Sequence, residues 1–304
     1  MDGLTSNQTG LNIPTERLYR EAPFLMRVNK RFKLDAILFT LIALVMIGIW
    51  SYPVILTVMN SLKTNASVML GPLSLPIPPT FEPYIKAWHD MDFPLLMKNT
   101  AFLAIGGTAL AIALSATPAY VLSRFHLPGG ELFFVILLTG MVLPQQAVIV
   151  PLYDIMSRLK LLDSLWGLLL VHGVYGMSFT LLLLRGFMAS IPIDLEDAAR
   201  VDGANDFQVL LRVIIPLSAP GVAIAAALNI ISIWNELFFA LIFLSSPEKY
   251  PVTMGLQLMT TSRYFFSWNM PAAAIIIAQI PAIFLYSFAY RFIQKNITAG
   301  GVRG

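Results

Sequence analysis

The side chains able to do chemistry here are few, and most of them lie inside apolar runs. Of the three histidines, His89, His126 and His172, only His172 falls in such a run. It has no acidic or histidine neighbour at i+3 or i+4, so metal-ligand spacing is missing and a hydrogen-bonded packing role is expected. With no cysteine in the 304 residues, disulfides, thiolate metal sites and cysteine nucleophiles are excluded. No Gly-x-x-x-x-Gly-Lys-Ser/Thr run occurs, so the chain has no P-loop for a nucleoside triphosphate. The expectation is no catalytic constellation, no metal site and no cofactor bound by this chain.

Two polar groupings remain. Glu236 is the one acidic residue inside a long apolar segment, about 28 Å from that segment's start if the helix is continuous. Asn229, Ser232 and Glu236 follow i, i+3, i+7 spacing and form one stripe beside Asn235. Such a stripe can offer hydrogen bonds to a hydroxyl-rich solute, and it can equally hold two helices together. Gln145 and Gln146 follow Pro144, with Pro151 beyond. Amides beside a helix-breaking residue can pair with freed carbonyls or reach solute.

The elements that position these groups are set by composition. At 57% hydrophobic, 12% charged and mean hydropathy +0.73, the chain has too few charges to cover a soluble globule of its length. Lipid must solvate it, and a net charge of only +3 gives a nucleic-acid role little support. Six apolar segments, at approximately 36 to 59, 100 to 121, 132 to 152, 165 to 188, 217 to 244 and 271 to 290, are each long enough to cross a bilayer. Residues 1–35 are polar, with no signal-peptide pattern, and read as an uncleaved tail. Placing both termini inside puts thirteen Lys and Arg on that side and seven outside, so both tails, 1–35 and 291–304, are expected in the cytoplasm. The 60 to 99 loop, rich in proline and carrying Phe81, Tyr84 and Trp88, should be stiff and folded. The 245 to 270 loop, with Tyr250, Tyr264, Phe265, Phe266 and Trp268, reads partly as an interfacial aromatic belt.

One charge-dense island, about 190–216, separates the fourth and fifth segments. Asp194 is placed to cap a short helix, Glu196 and Asp197 fall in its first turn, Arg200 near its last, and Gly203 can supply a left-handed stop. Asn205 or Asp206 can cap a second helix, with Phe207, Leu210, Leu211 and Ile214 along one face and Pro216 at its end. The island therefore reads as helix, turn, helix, lying on the cytoplasmic side and amphipathic enough to dock on a protein or a headgroup layer.

The run Glu196-Asp197-Ala198-Ala199, then Asp202-Gly203-Ala204, then Ile215-Pro216-Leu217, resembles the EAA signature of membrane subunits of binding-protein-dependent ABC importers. It is more closely similar to the carbohydrate-uptake permeases of the maltose-transporter type. That family usually carries Glu where this chain has Asp197, which keeps the charge and shortens the reach by a methylene. The likeness extends from roughly residue 36 to the C-terminus, and Trp234-Asn235-Glu236 and the Gly-rich tail 298–304 also resemble features of these permeases. The resemblance implies an all-α membrane protein of six transmembrane helices, the type I ABC importer transmembrane domain, in a bacterial inner membrane. It implies a second permease subunit, two ATP-binding subunits that use ATP and Mg, and an extracytoplasmic solute-binding protein near the 245 to 270 loop. The implied solutes are sugars, oligosaccharides or polyol-like compounds.

By the same resemblance Asp194, Glu196, Asp197, Ala198, Ala199, Arg200, Asp202, Gly203, Ala204 and Pro216 form the ATPase-coupling segment. Ala198 and Ala199 would permit close approach to the ATPase, and Glu196, Asp197 and Arg200 would make polar contacts with it. Candidate path residues are Asn229, Ser232, Asn235, Glu236, Gln145 and Gln146. The rival readings are an ion-coupled secondary transporter or channel, which needs several embedded ionisable groups, and an intramembrane enzyme, which needs a convergent nucleophile and base.

Overall fold

The computed structural model describes the backbone of residues 30–261 and 267–300 and the side chains of 36–260 and 267–287. The expectations for residues 1–29, Arg263, Tyr264, Phe265, Phe266 and 301–304 lie outside the described residues. Among those described there are helices and turns and no strand.

Helix α1 (Lys30–Ser61) begins inside the predicted tail, with an apolar stretch from Ala36 onward whose side chains up to Ile55 are mostly exposed. The predicted stiff loop is a folded cap built on α2 (Asn65–Leu70) and α3 (Glu82–Asp90). Buried Lys63 organises it by donating to Asn60 Oδ1 at 3.1 Å and to the carbonyls of Gly71 and Pro72 at 3.1 and 3.0 Å. Burial pulls this ammonium below the ordinary lysine range.

The bundle is organised around α4 (Phe93–Arg124), 32 residues and so about 48 Å long. It lies along α7 (Leu165–Ala189), and glycines let the two axes approach. A Cβ added at Gly173 would stand 2.5 to 2.8 Å from Leu110. Between them in sequence run α5 (Gly130–Val142) and α6 (Gln145–Arg158), which meet at 101° rather than forming the single span expected at 132 to 152. Pro144 has no N–H to give back to the preceding turn, and its ring holds Leu143 extended at φ −68, ψ 122.

The island follows as α8 (Asp194–Val201) and α9 (Asp206–Val209), which runs on through a π-helical turn (Leu210–Ile214) into α10 (Ile215–Leu217). Pro216 was expected to end this helix. It is instead carried inside it, because the widened π turn absorbs the missing proline N–H, and the chain bends by 74° only at Ser218. The span expected over 217 to 244 also divides, into α11 (Ala219–Trp234) and α12 (Phe238–Phe243). The chain then passes through α13 (Val252–Thr261) to α14 (Asn269–Gly300). Among the described residues four helices are long and apolar enough to cross a membrane, or up to six segments if each bent pair counts as one.

The end of the bundle opposite the island is clasped by a polar turn. Asp163, at φ +49, accepts from the N–H groups of Ser245 and Ser246 at 2.9 and 3.0 Å and from Lys249 Nζ at 2.8 Å. Asn99 donates to the carbonyls of Glu248 and Tyr250, tying the start of α4 to the same turn.

Candidate functional site: the island and the broken span

Local sequence builds the island in steps. Asp194 is the first residue of α8 and not its cap: Ile193 is already helical, and the Pro192 and Ile193 carbonyls accept from Leu195 and Glu196. Proline two residues before Asp194 opens the turn early, which shifts the boundary by one position. At the other end Ala204 N–H donates to the Ala199 carbonyl and Gly203 N–H to that of Arg200, both at 3.0 Å, with Gly203 at φ +88. That pairing is a Schellman stop, and it needs the left-handed residue that glycine supplies without strain. Asn205 and Gln208 then form a reciprocal capping box for α9.

Tertiary packing reverses the expectation for Glu196. Its side chain is fully buried, not offered to a partner. It accepts from Tyr120 Oη at 3.2 Å, from Arg200 at 3.2 Å and from Arg124 Nε, while Arg124 also donates to the Ile191 carbonyl at 2.8 Å. Tyr120 and Arg124 stand one helical turn apart at the end of α4. Arg200 continues the network outward to Asp197 at 3.0 Å and Asp206 at 3.2 Å. Beneath it Val209, Leu210 and Ile214 are buried with Ala119, Leu181, Leu184 and Met188. The island is thus bolted to the ends of α4 and α7 by one buried ionic knot and one apolar core.

Ala199 packs on that core, so of the two alanines only Ala198 is exposed. Asp197, Asp202, Gly203 and Pro216 are exposed and Ala204 is half-buried. The outward side also carries Leu195, Val201 and Phe207, exposed at 45%, 87% and 64%. Sequence reasoning missed Tyr120 and Arg124 as the partners of Glu196. The available signal was an i, i+4 Tyr-Arg pair closing a long apolar helix just where an acidic helix must sit.

The structure takes the predicted stripe apart. Asn229 is buried and donates to Thr180 Oγ1 and to the Ala225 carbonyl, both at 2.9 Å, so it joins α11 to α7. Ser232 and Asn235 are exposed, and Asn235 Nδ2 donates back to the Ile231 carbonyl at 2.8 Å. Helix α11 ends at Trp234, which takes Glu236 off the helical register on which the stripe was drawn. Glu236 Oε1 instead accepts from Phe239 N–H at 2.9 Å at the start of α12, and its carbonyl accepts from Thr253 Oγ1 at 2.7 Å. Its other oxygen faces His172, which is buried and set edge-on to Phe239. His172 makes no hydrogen bond to Glu236, since Nε2 stands 3.9 Å from Glu236 Oε2. Gln145, half-buried, and Gln146, exposed, open α6 just after the break at Pro144.

Residues 107–299 match the family described as binding-protein-dependent transport system inner membrane component. The sulfoquinovosyl glycerol transport system permease protein SmoH of Agrobacterium fabrum is 34% identical over 254 residues, covering 83% of this chain and 89% of that one. The diacetylchitobiose uptake system permease protein NgcG of Streptomyces coelicolor is 29% identical, over 87% of this chain and 89% of its own length. Among solved structures, a chain of a bacterial ABC transporter involved in import of the acidic polysaccharide alginate superposes with a TM-score of 0.76 at 28% identity, covering 86% of this chain and 98% of that chain. With its membrane-length helices, broken spans and helix-turn-helix island, this chain belongs to the family of inner-membrane components of binding-protein-dependent transport systems.

Proposed function

We propose that this chain forms half of the translocation pathway of an ATP-driven importer for a sugar or related polyhydroxylated solute, with α8 as the lever through which a separate ATPase acts. The observation that carries this reading is the attachment of α8. Glu196 fixes the helix to the C-terminal end of α4 while Leu195, Ala198, Val201 and Phe207 face outward as an uncovered apolar surface. A short helix held rigidly by one face, with its other face free, transmits a push as a rigid-body movement of the helices behind it.

In this reading both termini and the island are cytoplasmic, and two ATP-binding subunits hydrolyse Mg-ATP. A second permease subunit completes the path, and a solute-binding protein delivers cargo to the opposite end. Relatives named for sulfoquinovosyl glycerol and diacetylchitobiose uptake, and a structural neighbour from an alginate importer, support a carbohydrate class. Gln145, Gln146, Ser232 and Asn235, which lie at or near the two helix breaks, are the path candidates that remain open to solute. Asn229 serves helix packing.

The test uses the cysteine-free background. Ala198→Cys carrying a short cross-linker, in inverted native vesicles, should capture an ATP hydrolase. Labelling of that cysteine only from the opposite leaflet, with no hydrolase captured, would refute the assignment.

A further inference from the structure

Glu236 and His172 stand apart from the rest of the buried polar groups because their separation suits neither of the two usual arrangements. At 3.9 Å the two atoms are too far apart for a direct bond, which needs about 3 Å, and too close for a bridging water, which would hold them about 4.5 Å apart or more. Glu236 Oε2 is buried and has no hydrogen-bond partner, and the side chains of Glu236 and His172 are only 11% and 5% exposed. A buried carboxylate oxygen without a partner is unfavourable, so this arrangement persists only where surrounding packing holds it.

The surroundings make the gap a junction. Glu236 lies in the break between α11 and α12, its Oε1 accepts from Phe239 N–H of α12, its carbonyl accepts from Thr253 of α13, and His172 belongs to α7. A relative shift of about 1 Å between α12 and α7 closes the gap into a hydrogen bond.

We propose that Glu236 and His172 form a latch whose hydrogen bond is open in the conformation described here and closed in the opposite access state of the transporter. The inference rests on the importer reading above and adds to it a positioning pair that weighs one access state against the other. One shared proton suffices for the closed bond, and no solute contact is required. The latch biases transport only through the difference it makes between the two states.

The experiment uses the assembled transporter in proteoliposomes with its binding protein and solute. His172→Phe removes the imidazole nitrogen and keeps an aromatic ring against Phe239. His172→Gln returns an amide nitrogen to the position of Nε2. The ratio of the two access states should shift about tenfold in His172→Phe, the size expected from one buried hydrogen bond, lowering the solute moved per ATP hydrolysed, and His172→Gln should restore both to within about twofold. Glu236→Leu with His172→Phe should be no worse than the more affected single variant.

In otherwise wild-type protein, spin labels at the exposed positions Val174 and Leu241 should draw together by about 1 Å or more in one nucleotide state. This arm needs no variant at the junction. A constant separation in all nucleotide states, or full transport stoichiometry in His172→Phe, overturns the latch and leaves the importer reading standing. Absence of solute-dependent ATP hydrolysis in the wild-type assembly overturns the importer reading, and the latch with it.

Discussion

Replacing Glu196 by alanine should release the island from the bundle. The carboxylate is fully buried and compensates Arg124, whose side chain is only 9% exposed, together with Arg200, exposed at 32%. Removing one partner of a buried ion pair costs about 3 to 5 kcal/mol, because the remaining charge loses its compensation. The lower end applies here: Arg124 keeps the Ile191 carbonyl at 2.8 Å, and Arg200 keeps Asp197 and Asp206 and reaches solvent. A loss of about 3 kcal/mol raises the population of the opened island about 150-fold. Amide exchange is the direct assay, since the Gly203 and Ala204 N–H groups are protected only while the α8 stop is intact. Their exchange should accelerate by about two orders of magnitude in Glu196→Ala, and by less in Glu196→Gln, which keeps an acceptor for Tyr120. Uptake should fall although the chain still inserts. Protection within about threefold of wild type would refute the view that Glu196 holds the lever, because among the described residues the only other polar contact joining α8 to α4 is the single hydrogen bond from Arg200 to Tyr120 Oη at 3.2 Å.

Gly203→Ala should cost about 1 kcal/mol through its left-handed backbone alone, since nothing lies within 4 Å of the added methyl, so thermal unfolding should shift slightly with insertion unchanged. Gly176→Ala should be more damaging, because the methyl would meet Asn229 Oδ1 at 2.4 Å and force α7 and α11 apart, lowering the recovery of detergent-stable protein. At the other end of the bundle, Asp163 is held below the usual carboxylate range by Lys249, then by the Ser246 hydroxyl and the Ser245 and Ser246 N–H groups. A depressed value in the folded state means that its contribution is complete above about pH 4 and is lost as pH falls through the depressed value. Exchange at Ser245 and Ser246 should therefore stay slow at pH 5, whereas Asp163→Asn should speed it at pH 7. Lys63→Met leaves the Pro72 carbonyl without its donor, while that of Gly71 keeps Ser74, and should make the 62–80 segment the first site of proteolysis.

Composition and local signals were enough for the apolar solvent, the all-helical class and the local shape of the island. Those follow from quantities that act over a few residues or over the whole composition: hydrophobic length against bilayer thickness, Gly203 as a left-handed stop, and the Asn205-Gln208 box. It also marked Pro144 as a place where a helix fails, though not that the two halves would diverge by 101°.

Which way each polar side chain points was decided only in three dimensions. Glu196 and Asp197 are adjacent acids in the same first turn, and nothing local distinguishes them. The fold buries the first against Tyr120 and Arg124, some seventy residues earlier, and leaves the second in solvent. Asn229 and Glu236 share a register only while their helix is unbroken. The break after Trp234 sends one to Thr180 and brings the other toward His172. Periodicity fixes neighbours along one helix, but contacts between helices depend on where each helix ends and on how close glycine and alanine let them pack.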